Sequence, residues 1–308
     1  MVALAESIGT LLVILFVGQH LGFSFFDSIF IALAMSITST VVTVRILEEL
    51  NMITDNSSTL ILGISIVEDI IAISVLAVIQ SIAADIIGDG NDALEQPPIL
   101  QLVISIGIVA AFIGSILILG SRYIPNPIDE IRKTNDHALL LIVILGLSVG
   151  LAFAASLLGL SVATGAFLAG VLVAESKSAN VARVITTPVR DLFAAVFFIS
   201  IGALMNVSLI PVFIIPAILL ILTSFASKLL IVAALLVRAK YDNVTSLRTA
   251  LGMASAKGEL SLVVAKGGQD VGAITSAVLP ILGVITIITT FMTPYILRFG
   301  SKLGNTSR

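Results

Sequence analysis

One pair of residues constrains this chain more than any other. Glu68 and Asp69 stand side by side inside a long apolar run, residues 58–86, whose one other charge, Asp85, lies at its far end. Counted from Ser58 at about 1.5 Å per residue, Asp69 lies roughly 16 Å in. That is close to the middle of a hydrocarbon core about 30 Å thick. A charged side chain at that depth costs at least about 2.5–3.5 kcal/mol on insertion scales. Two adjacent carboxylates cost more, because each disfavours ionisation of the other. Packing gives no reason to keep such a pair; an ion or proton site inside a membrane does.

Composition agrees with a membrane chain. Hydrophobic residues make up 58% and charged residues 11%, whereas a soluble domain usually carries about 25% charged residues. The net charge of -3 gives no polyanion-binding signature, so nucleic acid is not an expected partner. The chain contains no cysteine, which removes disulfide and thiol chemistry and leaves the redox compartment open. The N-terminal stretch does not read as a signal peptide, since it lacks a basic region and Glu6 interrupts it.

The pattern predicts an all-α polytopic membrane protein with about ten spans, roughly 3–22, 27–46, 58–86, 98–120, 137–157, 159–175, 191–206, 208–237, 247–267 and 271–297. Basic residues set the orientation. Arg45, then Arg122, Arg132 and Lys133, then Lys177, Arg183 and Arg190, then Arg238, Lys240 and Arg248, and finally Arg298, Lys302 and Arg308 all fall on one side if the spans alternate. The loop at 87–97 carries Asp89, Asp92 and Glu95 without a Lys or Arg. The positive-inside rule then places both termini in the cytoplasm, with the chain in the cell membrane. The loop at 176–190 reads either as a short surface helix or as a plain connector.

Two spans have polar centres. The first, 27–46, reads Ser36-Ile37-Thr38-Ser39-Thr40 in its middle; the second, 247–267, reads Ala256-Lys257-Gly258-Glu259-Leu260-Ser261. The first three and last three spans run in opposite directions, as inverted-topology repeats require. Both polar centres are expected to be helix breaks, which a membrane tolerates only where backbone lines a cavity or is buried in protein. Lys228 lies near mid-depth in span 208–237 and needs a carboxylate partner, for which Glu68 is the natural candidate.

The expected site therefore contains Asp69, Glu68, Thr38 and Ser39 as ion- and proton-binding groups, with Lys228, Glu259 and Lys257 as ion-pairing and coupling groups. Carboxylate, hydroxyl and carbonyl oxygens suit a hard monovalent cation, and no His or Cys cluster offers itself to a transition metal. His20 and His137 fall at span ends and read as interfacial. A carboxylate that holds either a cation or a proton supports exchange of one for the other. No nucleophile constellation, cofactor motif or P-loop is present, so neither an enzyme nor an ATP-driven pump is expected, and no cofactor.

These residues, together with Thr164-Gly165-Ala166-Phe167-Leu168-Ala169-Gly170-Val171-Leu172-Val173-Ala174-Glu175-Ser176 and Phe197-Phe198-Ile199-Ser200-Ile201-Gly202, resemble the monovalent cation:proton antiporters of the Kef/Nap type. The resemblance covers nearly the whole chain in order. It implies a sodium/proton antiporter fold in which two discontinuous helices cross beside the ion site. It divides the chain into a core bundle, about 1–86 and 208–298, and linker or dimerisation helices, about 98–206. It implies exchange of Na⁺ or K⁺ for H⁺ by alternating access, with Na⁺ favoured. A potassium/proton antiporter or ligand-gated potassium efflux system is the alternative of the same fold, and a non-transporting assembly or sensor fragment the alternative of another class. By position, Asp69 becomes the essential carboxylate, Glu68 its acidic neighbour and Lys228 the basic partner. A homodimer and a cytoplasmic regulatory subunit are the implied partners. The Glu68-Asp69 pair leans toward the electrogenic arrangement. About three helices usually precede the first span, so the chain reads as N-terminally incomplete, and it carries none of the C-terminal nucleotide-binding domain found in many relatives.

Overall fold

The computed structural model describes residues 1–52, 55–87, 107, 111–158, 162–204 and 210–303. The described residues are helical, with no strand among them. The helices are α1 (Val2–His20), α2 (Phe25–Ser36), α3 (Thr40–Glu49), α4 (Asn56–Ile87), α5 (Pro125–Lys133), α6 (His137–Leu157), α7 (Val162–Ala174), α8 (Ala179–Leu204), α9 (Ile210–Arg238), α10 (Asn243–Ser255), α11 (Glu259–Asp270) and α12 (Val278–Lys302). A π-helical turn, Ile116–Gly120, runs into the short piece Ser121–Tyr123 ahead of α5.

Six of these stretches are long and apolar enough to cross a membrane: α1, α2 with α3, α4, α6, α9 and α12. The other predicted spans differ for identifiable reasons. Segment 247–267 is split between α10 and α11, and α7 has only 13 residues. Most of segment 98–120, the acidic loop at 87–97 and the turn near 207 lie outside the described residues. Segment 191–206 is the second half of α8 rather than a span of its own.

The stretch 176–190 is thus neither a separate surface helix nor a plain connector, because α8 starts at Ala179 and runs for 26 residues through Pro188. Its start is fixed by Asp129, whose carboxylate accepts the amides of Lys177 (3.2 Å) and Ser178 (2.9 Å). Around the proline, the Thr186 and Thr187 hydroxyls donate to the Ala182 and Arg183 carbonyls, which eases a helix interrupted by a residue with no amide proton.

The chain packs as two compact units, Met1–Ala72 with Gly202–Arg308, and Ile73–Ile201. In the first, Ala3, Leu47, Ile61, Val232, Ala250 and Met253 belong to one buried cluster that draws on α1, α3, α4, α9 and α10. In the second, Ile128, Leu140, Ile144, Val173 and Ala182 join α5, α6, α7 and α8. Large apolar side chains also stay on the surface, among them Phe16, Phe153, Leu230 and Phe291. Apolar surface of this kind is stable against lipid tails. Among the six apolar stretches, α2 with α3 is the most buried, and the site forms around its break.

Candidate functional site

Two helices lose their hydrogen-bond ladders in mid-course, at 37–39 and at 256–258. Ile37 (φ -88°, ψ 141°) and Ser39 (φ -70°, ψ 103°) are extended. So are Ala256 (φ -92°, ψ 138°) and Gly258 (φ -127°, ψ -162°). The two breaks touch: the Ser39 amide donates to the Ala256 carbonyl at 2.9 Å. A Cβ on Gly258 would lie 2.4 Å from Ser39 Oγ and 2.7 Å from Ser39 Cβ. Glycine is therefore required at 258 for closeness of approach, since its φ is one that any residue adopts.

A helix that stops inside a protein leaves its last carbonyls without partners. Here each break supplies partners for the other. At the end of α2, the Lys257 ammonium donates to the carbonyls of Met35 (2.5 Å) and Ile37 (3.2 Å). Ser224 Oγ also donates to Met35, Ser261 Oγ to Ala34 and Ser36 Oγ to Leu33. At the end of α10, Thr38 Oγ1 donates to the Met253 carbonyl at 2.8 Å and Ser255 Oγ to that of Gly252. Lys257 thus places a positive charge on the negative end of α2. A cavity of about 180 Å³ reaches this lysine, lined also by Met35, Ser224, Ser255, Thr289 and Met292.

Beside the first break lies a buried charge cluster. Lys228 Nζ sits 2.9 Å from Glu68 Oε1, 3.1 Å from Glu6 Oε1 and 2.8 Å from Thr38 Oγ1, which engages all three donors of an ammonium. Glu68 uses its other oxygen to accept the Thr38 amide at 3.1 Å, and Thr10 donates to Glu6 Oε1 at 3.0 Å. Lys228, Glu6 and Glu68 have side-chain exposures of 0, 0 and 1%. Four separate elements hold this cluster: α1, the first break, α4 and α9.

Asp69 has a different setting. It is half-buried on α4, next to the sealed Glu68, and its electrostatic neighbours are Glu259, Lys228 and Thr40. Thr40 and Glu259 are the first residues of α3 and α11. Residues at the starts of both downstream half-helices are thereby among the neighbours of the Asp69 carboxylate.

The structure brings the expected residues together with differing duties. Lys228 and Glu68 pair directly. Among the described residues neither Lys257 nor Glu259 makes an ion pair; Lys257 serves carbonyls instead, and Glu259 lies near Asp69. Thr38 joins Lys228 to Met253, and the Ser39 hydroxyl accepts the Val42 amide at 3.5 Å as the cap of α3. His20 is exposed and contacts the Phe16 carbonyl. Among the described residues no group of His, Cys, Asp and Glu could hold a metal ion. The residue missed in the sequence is Glu6. Its signal was available, as a lone carboxylate in an apolar helix, but its place near the start of the chain disguised it.

Comparison with known proteins agrees with this architecture. The transmembrane sodium/hydrogen exchanger family matches residues 1–299, and the chain belongs to that family. It is 37% identical over 108 residues to a protein of Escherichia coli strain K12 named cation/proton antiporter YbaL, a stretch covering 35% of this chain and 19% of that protein. It is 29% identical over 231 residues to the protein of Synechocystis sp. strain PCC 6803 named high-affinity Na(+)/H(+) antiporter NhaS3, covering 73% of this chain and 47% of the relative. Each match thus spans less than half of the relative's length.

Proposed function

We propose that this member of the sodium/hydrogen exchanger family exchanges a monovalent cation, Na⁺ in preference to K⁺, for protons across the cell membrane by alternating access. The observation that carries the reading is the contrast within one dipeptide: Glu68 is sealed into an ion pair, while Asp69 beside it is half-buried and has no ion-pair partner among the described residues. Such a carboxylate takes up a proton or a cation in turn. Its neighbours Thr40 and Glu259, with the ends of α3 and α11, frame the site, while Thr38 and Ser39 hold the first break in shape. Lys228 with Glu68, and Lys257 at the end of α2, supply the fixed charges around which the exchange takes place. The names of the two relatives support cation:proton antiport.

The unit Met1–Ala72 with Gly202–Arg308 is the mobile core in this reading, and helices of the other unit serve as linker and dimer contact. Both termini face the cytoplasm, consistent with the basic loops. A homodimer and a cytoplasmic regulatory subunit are its proposed protein partners.

Proteoliposomes holding a preset pH gradient test the reading. Addition of Na⁺, Li⁺ or K⁺ in turn should collapse the gradient with the transported ion, Na⁺ at the lowest concentration. Asp69→Asn should abolish the response, because an amide neither titrates nor supplies charge. Full exchange by Asp69→Asn would remove Asp69 from the site, and a response to K⁺ alone would make the protein a potassium/proton antiporter.

A further inference from the structure

We infer that Glu6 is a positioning residue of the exchange site: it is the counter-charge that brings the buried core to neutrality, so that Asp69 is left to be balanced by the transported ion. The inference deepens the exchange reading and rests on it.

The buried core holds two lysines. Lys228 and Lys257 are 0 and 1% exposed, and among the described residues Lys257 Nζ donates to neutral acceptors, the carbonyls of Met35 and Ile37. Glu68 balances one of these charges. The second balance comes from α1, where Glu6 is itself fully buried and shares Lys228 with Glu68. Glu6 and Lys257 also act on each other electrostatically without contact. Around the breaks these two acids and two bases sum to zero when all four are charged; the other buried carboxylate among the described residues, Asp27, lies at the outer start of α2 and accepts from Thr275 instead. Moving a proton from Lys257 to either glutamate leaves the sum unchanged, so the neutrality does not depend on where that proton sits.

Without Glu6, and with both lysines protonated, this cluster carries one net positive charge near a site that must attract a cation. At an effective dielectric constant of about 20, a unit charge about 10 Å from a site changes cation affinity by roughly tenfold. Direct packing does not require a carboxylate here. Thr10 and Lys228 both donate to the same Glu6 oxygen, Oε1. A neutral amide could accept both bonds. The feature that an amide lacks is the charge.

The test is cation-dependent exchange in proteoliposomes by the parent protein, Glu6→Gln, Glu6→Asp and the double variant Glu6→Gln/Lys257→Met. Glu6→Gln should raise the half-saturating cation concentration about tenfold, with a maximal rate much less affected. Glu6→Asp should stay close to the parent. The double variant should recover most of the lost affinity, which a merely structural role for Glu6 does not predict. Unchanged half-saturation in folded Glu6→Gln, or a double variant no better than Glu6→Gln, would overturn the inference. If Glu6→Gln does not fold, folding of Glu6→Asp supports charge balance and its failure overturns it. If the parent itself shows no exchange, the functional reading fails. Thermal unfolding then decides the charge balance separately: a double variant that loses less stability than Glu6→Gln and Lys257→Met lose in sum supports it, and losses that simply add overturn it.

Discussion

The two broken helices share a backbone and divide the chemistry. In both, a helix stops on an extended residue, a second extended residue follows, and a new helix starts; each break caps the end of the other. The capping groups are not alike. The first break contributes Thr38, a neutral hydroxyl that itself accepts from Lys228. The second contributes Lys257, whose Nζ is held by the carbonyls of Met35 and Ile37. The first break also leans on the ion-paired cluster of Glu6, Glu68 and Lys228, whereas the second leans on Thr289, whose hydroxyl accepts the Lys257 amide. The two breaks thus share one backbone pattern, while unlike side chains make one the seat of an ion-pair network and the other a lysine plug.

The largest test of that difference is the pair of lysines. Lys228→Met leaves two buried carboxylates facing each other, and the loss of an ion-pair partner in such a site costs about 3–5 kcal/mol. Lys257→Met leaves two carbonyls short of a donor, at roughly 1–3 kcal/mol, and removes a group that touches no carboxylate among the described residues; Met35 keeps its bond from Ser224. Unfolding of the two variants in detergent should therefore show the greater loss for Lys228→Met. Equal losses would mean that the breaks are energetically equivalent.

The next test concerns their contact. Gly258→Ala drives a methyl group into Ser39, and overpacking of this kind costs about 1–3 kcal/mol. Combining it with Ser39→Gly should return part of the stability. No recovery in the double variant would show that the breaks are not pressed together at these residues.

The smallest effect lies at the outer ends of the same two helices. Ser24 caps α2 by accepting the Asp27 amide, and Asp242 caps α10 by accepting the Thr245 amide at 2.8 Å. That amide holds the Asp242 carboxyl below the usual carboxylate range. A group whose folded pKa is depressed contributes stability above its unfolded value, near 3.9, and loses it as pH falls through the folded value. Acid should weaken α10 through Asp242 and leave the Ser24 cap of α2 untouched. Asp242→Ser should remove this small pH dependence, read as the difference in unfolding between neutral pH and about pH 3; an unaltered difference would assign it to other carboxylates.

Much of this arrangement was legible in the sequence, for a reason that also limits it. Hydropathy reports depth. Glu68, Asp69 and Lys228 could be found because charge in the middle of an apolar run is costly, and the two breaks because hydroxyls, glycine and charge interrupt such runs at matching places. Depth does not report direction. Lys257 read as an ion-pairing residue, yet its ammonium reaches the carbonyls of Met35 and Ile37, more than two hundred positions away. Glu6 looked like a blemish near the start of a span, since nothing near it in sequence shows that α1 packs its carboxylate against α9.

The sequence by itself thus determined that the chain is helical and membrane-embedded, that two of its helices are interrupted, and which charges lie deep. These follow from the cost of placing polar groups in hydrocarbon, a cost paid residue by residue. Only the tertiary structure decided that Glu68 is sealed while Asp69 stays half-buried, that Thr38 and Lys257 cap each other's helices, and that Glu6 shares Lys228. Those outcomes depend on which side chains of distant helices come within about 3 Å of one another, and hydrogen bonds and ion pairs of that range are set by packing geometry rather than by position along the chain.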